Sequence, residues 1–271
     1  MVLGLGIGLS NQQPSGASYS PLAIDYFARA GVTDHIEKAN YNSLFLELIL
    51  GGVDLNADFI YNFTAYNDTQ AVTSLFNNFT ATPVGLTGRF TPKVGVTFNG
   101  TGYLQSGYIP STAFTGKKFA LNNGSCGGKV IGAIATNYFP LISAYNPNPY
   151  DFLGYRGTNG GDYFYTGINQ ATNGDTSTVI NTASLYTSIQ VKRTSASARI
   201  FLYDANTYTL PSVNSSLLSP IEWFIGARND MGTADLMAEN NTGLSHVYAG
   251  NSSLSKSVID TAISNFVNRM A

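Results

Sequence analysis

The sequence predicts a mainly β fold, an antiparallel sandwich with a short N-terminal arm, two leading helices and one closing helix. Three observations carry this expectation. Short runs rich in β-branched and aromatic residues recur between Gly, Pro, Asn and Asp punctuation. Two capped helical patterns precede them. At the end of the chain apolar pairs recur every four residues.

The first element, MVLGLGIGLSNQQPSG, is apolar, Gly-rich and nearly uncharged. It has no basic segment before its apolar run and no small-residue cleavage motif after it, so it does not read as a signal peptide. GLGIG follows no strand and lacks the G-x-x-G continuation of a dinucleotide loop. The arm, residues 1–20, is expected to be an assembly anchor, with Val2, Leu3, Leu5, Ile7 and Leu9 supplying buried area.

Residues 21–52 form a helical lead-in. Ser20 caps, Pro21 stands at the first helical position, and Gly31 stops the first helix. Asp34 and Glu37 have capping-box spacing for a second, which Gly51-Gly52 ends. Residues 53–271 form the sandwich. Its strands are read at 59–66, 94–100, 103–109, 130–136, 185–193, 198–204, 222–228 and 244–250. In the closing helix, Val258-Ile259, Ala262-Ile263 and Phe266-Val267 share one face.

Composition narrows the function. Charged residues are only 11% of the chain, and 17 Tyr with 16 Phe exclude a disordered polypeptide. A formal charge of -2 without a Lys/Arg run excludes a nucleic-acid surface. No stretch reaches the roughly 20 apolar residues of a membrane span. The single cysteine, Cys126, rules out an internal disulfide, and with two histidines there is too little for a structural zinc site. Cys126 is placed in a turn as an unreactive thiol.

Two stretches resemble a known family. GVTFNGTGYLQSGYIP (95–110) resembles the entry motif of laminin-G-like, concanavalin A-type jelly rolls. The segment 225–266 resembles their closing pattern of strand, Gly-bearing loop, strand and terminal helix. A third, AIDYFARAGVTD (23–34), is similar to the helical lead-in of such jelly rolls in tailed-bacteriophage structural proteins, especially phages of Bacteroidetes-type hosts. The resemblance implies a virion component: a head fibre, tail fibre, spike or capsid decoration subunit. It would be made in the host cytoplasm, join capsid or tail proteins through its arm, and form a homo-oligomer. Fold alone does not set function, because this sandwich carries lectins, glycanases and structural domains alike.

The candidate chemistry follows. Glycanases on such sandwiches need closely spaced carboxylates, yet none of Glu37, Glu47, Glu222 and Glu239 has another two residues away. His246 lies in a strand and reads as a structural histidine, and no G-x-S-x-G elbow is present. No catalytic residue is therefore assigned. The resemblance admits a calcium ion on Asn229, Asp230 and Asp235, though an ordinary Asx-rich hairpin explains the same residues. The best binding stretch is NPNPYDFLGYRGTNGGDYFYTG (146–167). There Tyr150, Asp151, Tyr155, Arg156, Asp162, Tyr163 and Tyr165 combine the aromatic faces and polar groups that a sugar ring needs. The alternative is that these tyrosines pack into the core or a subunit interface. The expected function is a non-enzymatic virion protein displaying a lectin-like jelly roll. The alternatives are a receptor-recognition module for host glycans or, less well supported, a glycanase.

Overall fold

The structure, a computed structural model, describes residues 18–86, 89–132, 139–145, 149–158, 161–170, 177–179, 187–235, 238 and 242–270. At 150, 156–158, 161–163, 165 and 177–179 it describes the backbone alone. The chain runs through α1 (Pro21–Ala30), α2 (His35–Leu50), β1 (Ala57–Asn62) and α3 (Asp68–Val72). Five strands follow: β2 (Thr82–Val84), β3 (Phe90–Thr91), β4 (Gly95–Thr97), β5 (Tyr103–Gln105) and β6 (Gly124–Ile131). Next come β7 (Phe139–Tyr145), β8 (Tyr150–Thr158), β9 (Gly161–Gln170), β10 (Ser177–Val179), β11 (Ser188–Arg193), β12 (Arg199–Tyr203) and β13 (Asn206–Thr209). The chain closes through β14 (Phe224–Ile225), β15 (Arg228–Asp230), β16 (Thr233–Asp235), β17 (Gly243–Gly250) and α4 (Lys256–Arg269).

The strands make two sheets, almost entirely antiparallel. One has the order β13-β12-β11-β6-β17-β4-β3, with β1 also on β17; the other has β10-β9-β8-β7-β14-β5-β2, with the β15–β16 hairpin on β7. This is the expected jelly-roll sandwich. A third layer, α1, α2 and α4, packs on the outer face of the first sheet.

Strand alternation builds two cores from the same strands. On β1, Phe59 and Tyr61 enter the space between the sheets, whereas Ala57 and Ile60 face the helices. On β17, Val247 and Ala249 face inward and Tyr248 outward. The helical core adds Tyr26, Tyr41, Phe45, Leu48 and Phe266. Gly127 lets the Tyr248 ring lie on β6, because a Cβ there would stand 2.5 Å from the Tyr248 hydroxyl and from the Ile189 carbonyl oxygen.

The helix ends follow from their caps. Ser20 Oγ accepts from Ala23 N at 3.3 Å, and Gly31 takes the left-handed conformation at φ 64. Asp34 Oδ1 accepts from Ile36 N and Glu37 N. On α4, Ile259, Ala262, Ile263 and Phe266 are buried, with Val258 packed at the edge.

Several boundaries differ from the sequence reading. β6 begins at Gly124, so Cys126 is a buried strand residue rather than a turn residue, and burial pushes its thiol up. Three glycines in GSCGGK masked the strand. β7, β8 and β9 are further strands beyond the sequence reading; β8 and β9 are interrupted by glycines, and β7 carries Pro140. The arm residues Val2, Leu3, Leu5, Ile7 and Leu9 lie outside the described residues.

Candidate functional site

A cleft of about 200 Å³ opens where α4 crosses the sheet. Four separate parts of the chain build its walls. Thr64 follows β1, Lys93 and Val94 precede β4, Lys129 and Ile131 close β6, and Ser245 and His246 come from β17. The floor is one stripe of α4: Asp260, Ile263, Ser264, Val267 and Asn268, at the i, i+3, i+4, i+7, i+8 spacing of a helical face.

Local irregularities aim these groups. In the β17–β6 ladder, Leu244 pairs with Val130 and His246 with Lys129, so Ser245 is the extra residue of a bulge. A bulge re-aims side chains. Here Ser245 Oγ lies 3.1 Å from Nδ1 of its own neighbour, His246. At the rim Lys93 holds a left-handed backbone, φ 66, and its N–H donates to the Thr64 carbonyl at 2.9 Å. Asn62, which pairs with His246 across the sheet, accepts from Thr64 through Oδ1. The buried Asn62 Nδ2 has no hydrogen-bond partner.

His246 Nε2 lies 3.0 Å from Asp260 Oδ1, and Lys256 Nζ is 3.5 Å from Asp260 Oδ2. Burial pushes the Asp260 carboxyl up, but His246, Ser188 and Lys256 together outweigh it and hold the group below the usual carboxylate range. Ser245, His246 and Asp260 thus form a hydrogen-bonded row, which sequence spacing alone did not reveal. The imidazole is fully buried, with both ring nitrogens engaged inside the protein. That geometry ties α4 to β17.

The tyrosine-rich stretch is built differently. Asp151 and Tyr155 are core residues, 2% and 4% exposed, which corrects their assignment to a sugar surface. Asp151 accepts from Trp223 Nε1 at 3.0 Å and from the Asn169 N–H. Burial pushes its carboxyl up to about 6. Tyr155 packs edge-on against Phe164, 5.7 Å between ring centres. The physical reason is alternation: every second residue of a sandwich strand faces the opposite sheet. Arg156 pairs with Tyr163, and Gly154 with Tyr165, across β8 and β9. The side chains of Tyr150, Arg156, Asp162, Tyr163 and Tyr165 lie outside the described residues.

Asn229, Asp230 and Asp235 lie on the β15–β16 hairpin. Asn229 is buried, accepts from Gly232 N at 2.7 Å and donates to the Glu222 carbonyl. The Arg228 guanidinium lies between the carboxylates of Asp230 and Asp235. The hairpin is closed by its own arginine. Among the described residues no three His, Cys, Asp or Glu side chains are grouped to hold a metal ion.

Glu37 and Glu47 lie on α2, and Glu222 just precedes β14. Glu37 accepts from Gln70, Glu47 from Asn265 and Arg269, and Glu222 from the Gly107 N–H. Glu239 lies outside the described residues. Asp58 is filled by Tyr108 and by the N–H groups of Lys118 and Phe119.

No protein-family model and no curated protein sequence matches the chain. Solved structures do resemble it in fold. Domain 4 of AbnA, a GH43 extracellular arabinanase from Geobacillus stearothermophilus, solved with arabinotriose, is 14% identical with a TM-score of 0.50. That match covers 77% of this chain and 99% of the arabinanase domain. The botulinum neurotoxin serotype D binding domain is 9% identical, TM-score 0.51, covering 79% of this chain and 52% of that one. A Trypanosoma rangeli sialidase mutant displaying trans-sialidase activity is 14% identical, TM-score 0.52, covering 84% and 39%. The chain therefore spans about half of the toxin domain and two fifths of the sialidase. At such identities the likeness establishes a shared sandwich fold and nothing finer.

Proposed function

We propose that this chain is a non-catalytic, glycan-binding β-sandwich domain, and that the α4–β17 cleft receives the sugar. The observation carrying this reading is the cleft itself. About 200 Å³ is smaller than the roughly 300–1,000 Å³ of sites for drug-sized ligands, so it suits a single ring. Ser264 and Asn268 line it beside apolar Val94, Ile131 and Val267, a mixture matched to sugar hydroxyls and C–H faces. The arabinotriose in the arabinanase domain and the SialylT in a botulinum neurotoxin DC binding domain lend support by analogy of fold.

Isothermal titration against a panel of monosaccharides tests the reading. Binding by the natural chain is expected, with loss in Ser264→Trp, because Ser264 is exposed on α4 and a bulky ring there fills the cleft without entering either core. Unchanged binding in that variant would place the sugar elsewhere. Incubation with polysaccharides should release no reducing ends. The further placement on a bacteriophage particle, as a fibre or decoration subunit recognising host surface glycans, is supported by the likeness of residues 23–34 to phage lead-in helices. Antibody labelling of intact particles, with the domain absent from both head and tail, would sink it.

A further inference from the structure

Resting on the reading of the α4–β17 cleft as a sugar site, we infer that its ligand is an acidic monosaccharide unit, one whose ring bears a carboxylate. Two lysines, Lys93 and Lys129, line this small space, in a chain whose formal charge is -2. Among the described residues neither ammonium group has a hydrogen-bond or ion-pair partner. The other charged lining groups do not cancel them. Asp260 is the only lining carboxylate, and His246 and Lys256 already engage both of its oxygens.

The lysines are also held in place by backbone features rather than by each other. Lys129 sits in the β6 ladder opposite His246, so the sheet fixes its Cα. Lys93 keeps a left-handed backbone that few non-glycine residues adopt, anchored by its N–H to Thr64. A backbone held off its preferred region at the rim of a cleft marks a position that the surrounding structure over-determines. Two cations lining a one-ring cleft match a carboxylate on the ring. Neutral sugars leave both ammonium charges uncompensated.

The test compares glucuronate with glucose, which differ only at C6, by calorimetric titration of the whole chain. Glucuronate is expected to bind at least about tenfold more tightly, and the gap should shrink as salt rises from about 0.02 to 0.5 M. In Lys129→Met and in Lys93→Met the gap should close to within about threefold, with the thermal midpoint unchanged because methionine keeps most of the apolar stem. Equal binding of the two sugars by the natural chain would overturn the acidic preference and leave the glycan site standing. Binding of neither would overturn both. Glucose 6-phosphate binding more tightly than glucuronate would reassign the anion as phosphate and overturn the carboxylate.

Discussion

The β8–β9 hairpin and the α4–β17 cleft pose the same question and answer it oppositely. The hairpin concentrates tyrosines, carboxylates and an arginine within about twenty consecutive residues. Yet Asp151 and Tyr155, two of the groups best suited to a ligand, are buried between the sheets. The cleft draws on residues from Thr64 to Asn268, of which the sequence singles out only His246 for its chemistry, and brings two lysines without an ion-pair partner among the described residues to one space. Local richness in sugar-binding residue types is thus no measure of accessibility. In a sandwich strand half of any such cluster faces the opposite sheet, whereas a cleft forms where elements of different length and direction fail to fill the space between them.

The hairpin half of this contrast predicts the largest effect. Trp223→Ala removes a fully buried ring that meets Phe119, Tyr108 and Phe59 and donates to Asp151. The expected loss is about 3–5 kcal/mol in chemical denaturation. A loss under ~1 kcal/mol would mean that the hairpin is not packed as a core element.

The cleft half is probed next by His246→Ala. It removes the tie between β17 and α4 and leaves Asp260 without its imidazole partner, at an expected cost of about 1–3 kcal/mol. If the variant instead matched the natural stability while abolishing an activity, the histidine would be chemical rather than structural.

The finest probe is pH. Asp151 ionises near 6 in the fold but in the ordinary carboxylate range, near 3.8, when unfolded. Between these values the folded chain holds a proton that the unfolded chain has released. Stability contributed by this group therefore falls as pH rises from about 4 to about 6, and stays low above that. Asp151→Asn should flatten this part of the profile, measured as urea midpoints at several pH values. A slope that persists in the variant would assign the titration to another group.

Much of the architecture was legible because it rests on short-range physics. Ser20, Asp34, Gly31 and Gly51 punctuate the helices through hydrogen bonds and backbone conformations that span a few residues. The apolar pairs of α4 define its buried face by period alone. Strands such as β1, β12 and β17 announce themselves through β-branched and aromatic residues. β6 did not, since its glycines serve close packing rather than strand propensity: Gly127 against Tyr248, Gly124 against Phe119 and Gly128 against the His246 carbonyl. The cleft was even less legible. The bulge at Ser245 has no sequence signature, and Lys93 and Lys129 meet only because β4 and β6 flank β17 in the sheet.

By itself, then, the sequence determined the fold class, the lead-in and closing helices and the absence of any charge run for nucleic acid. It also supplied the inventory from which any site had to be made. Tertiary structure decided which of those residues are buried and which line a cleft. Period and capping act over one or two turns of chain, so they survive in a one-dimensional reading. Exposure depends on which strand lies beside which and on which face a helix covers. Those relations set Asp151 under Trp223, closed Arg228 over its own hairpin, and left Lys93 and Lys129 open beside α4.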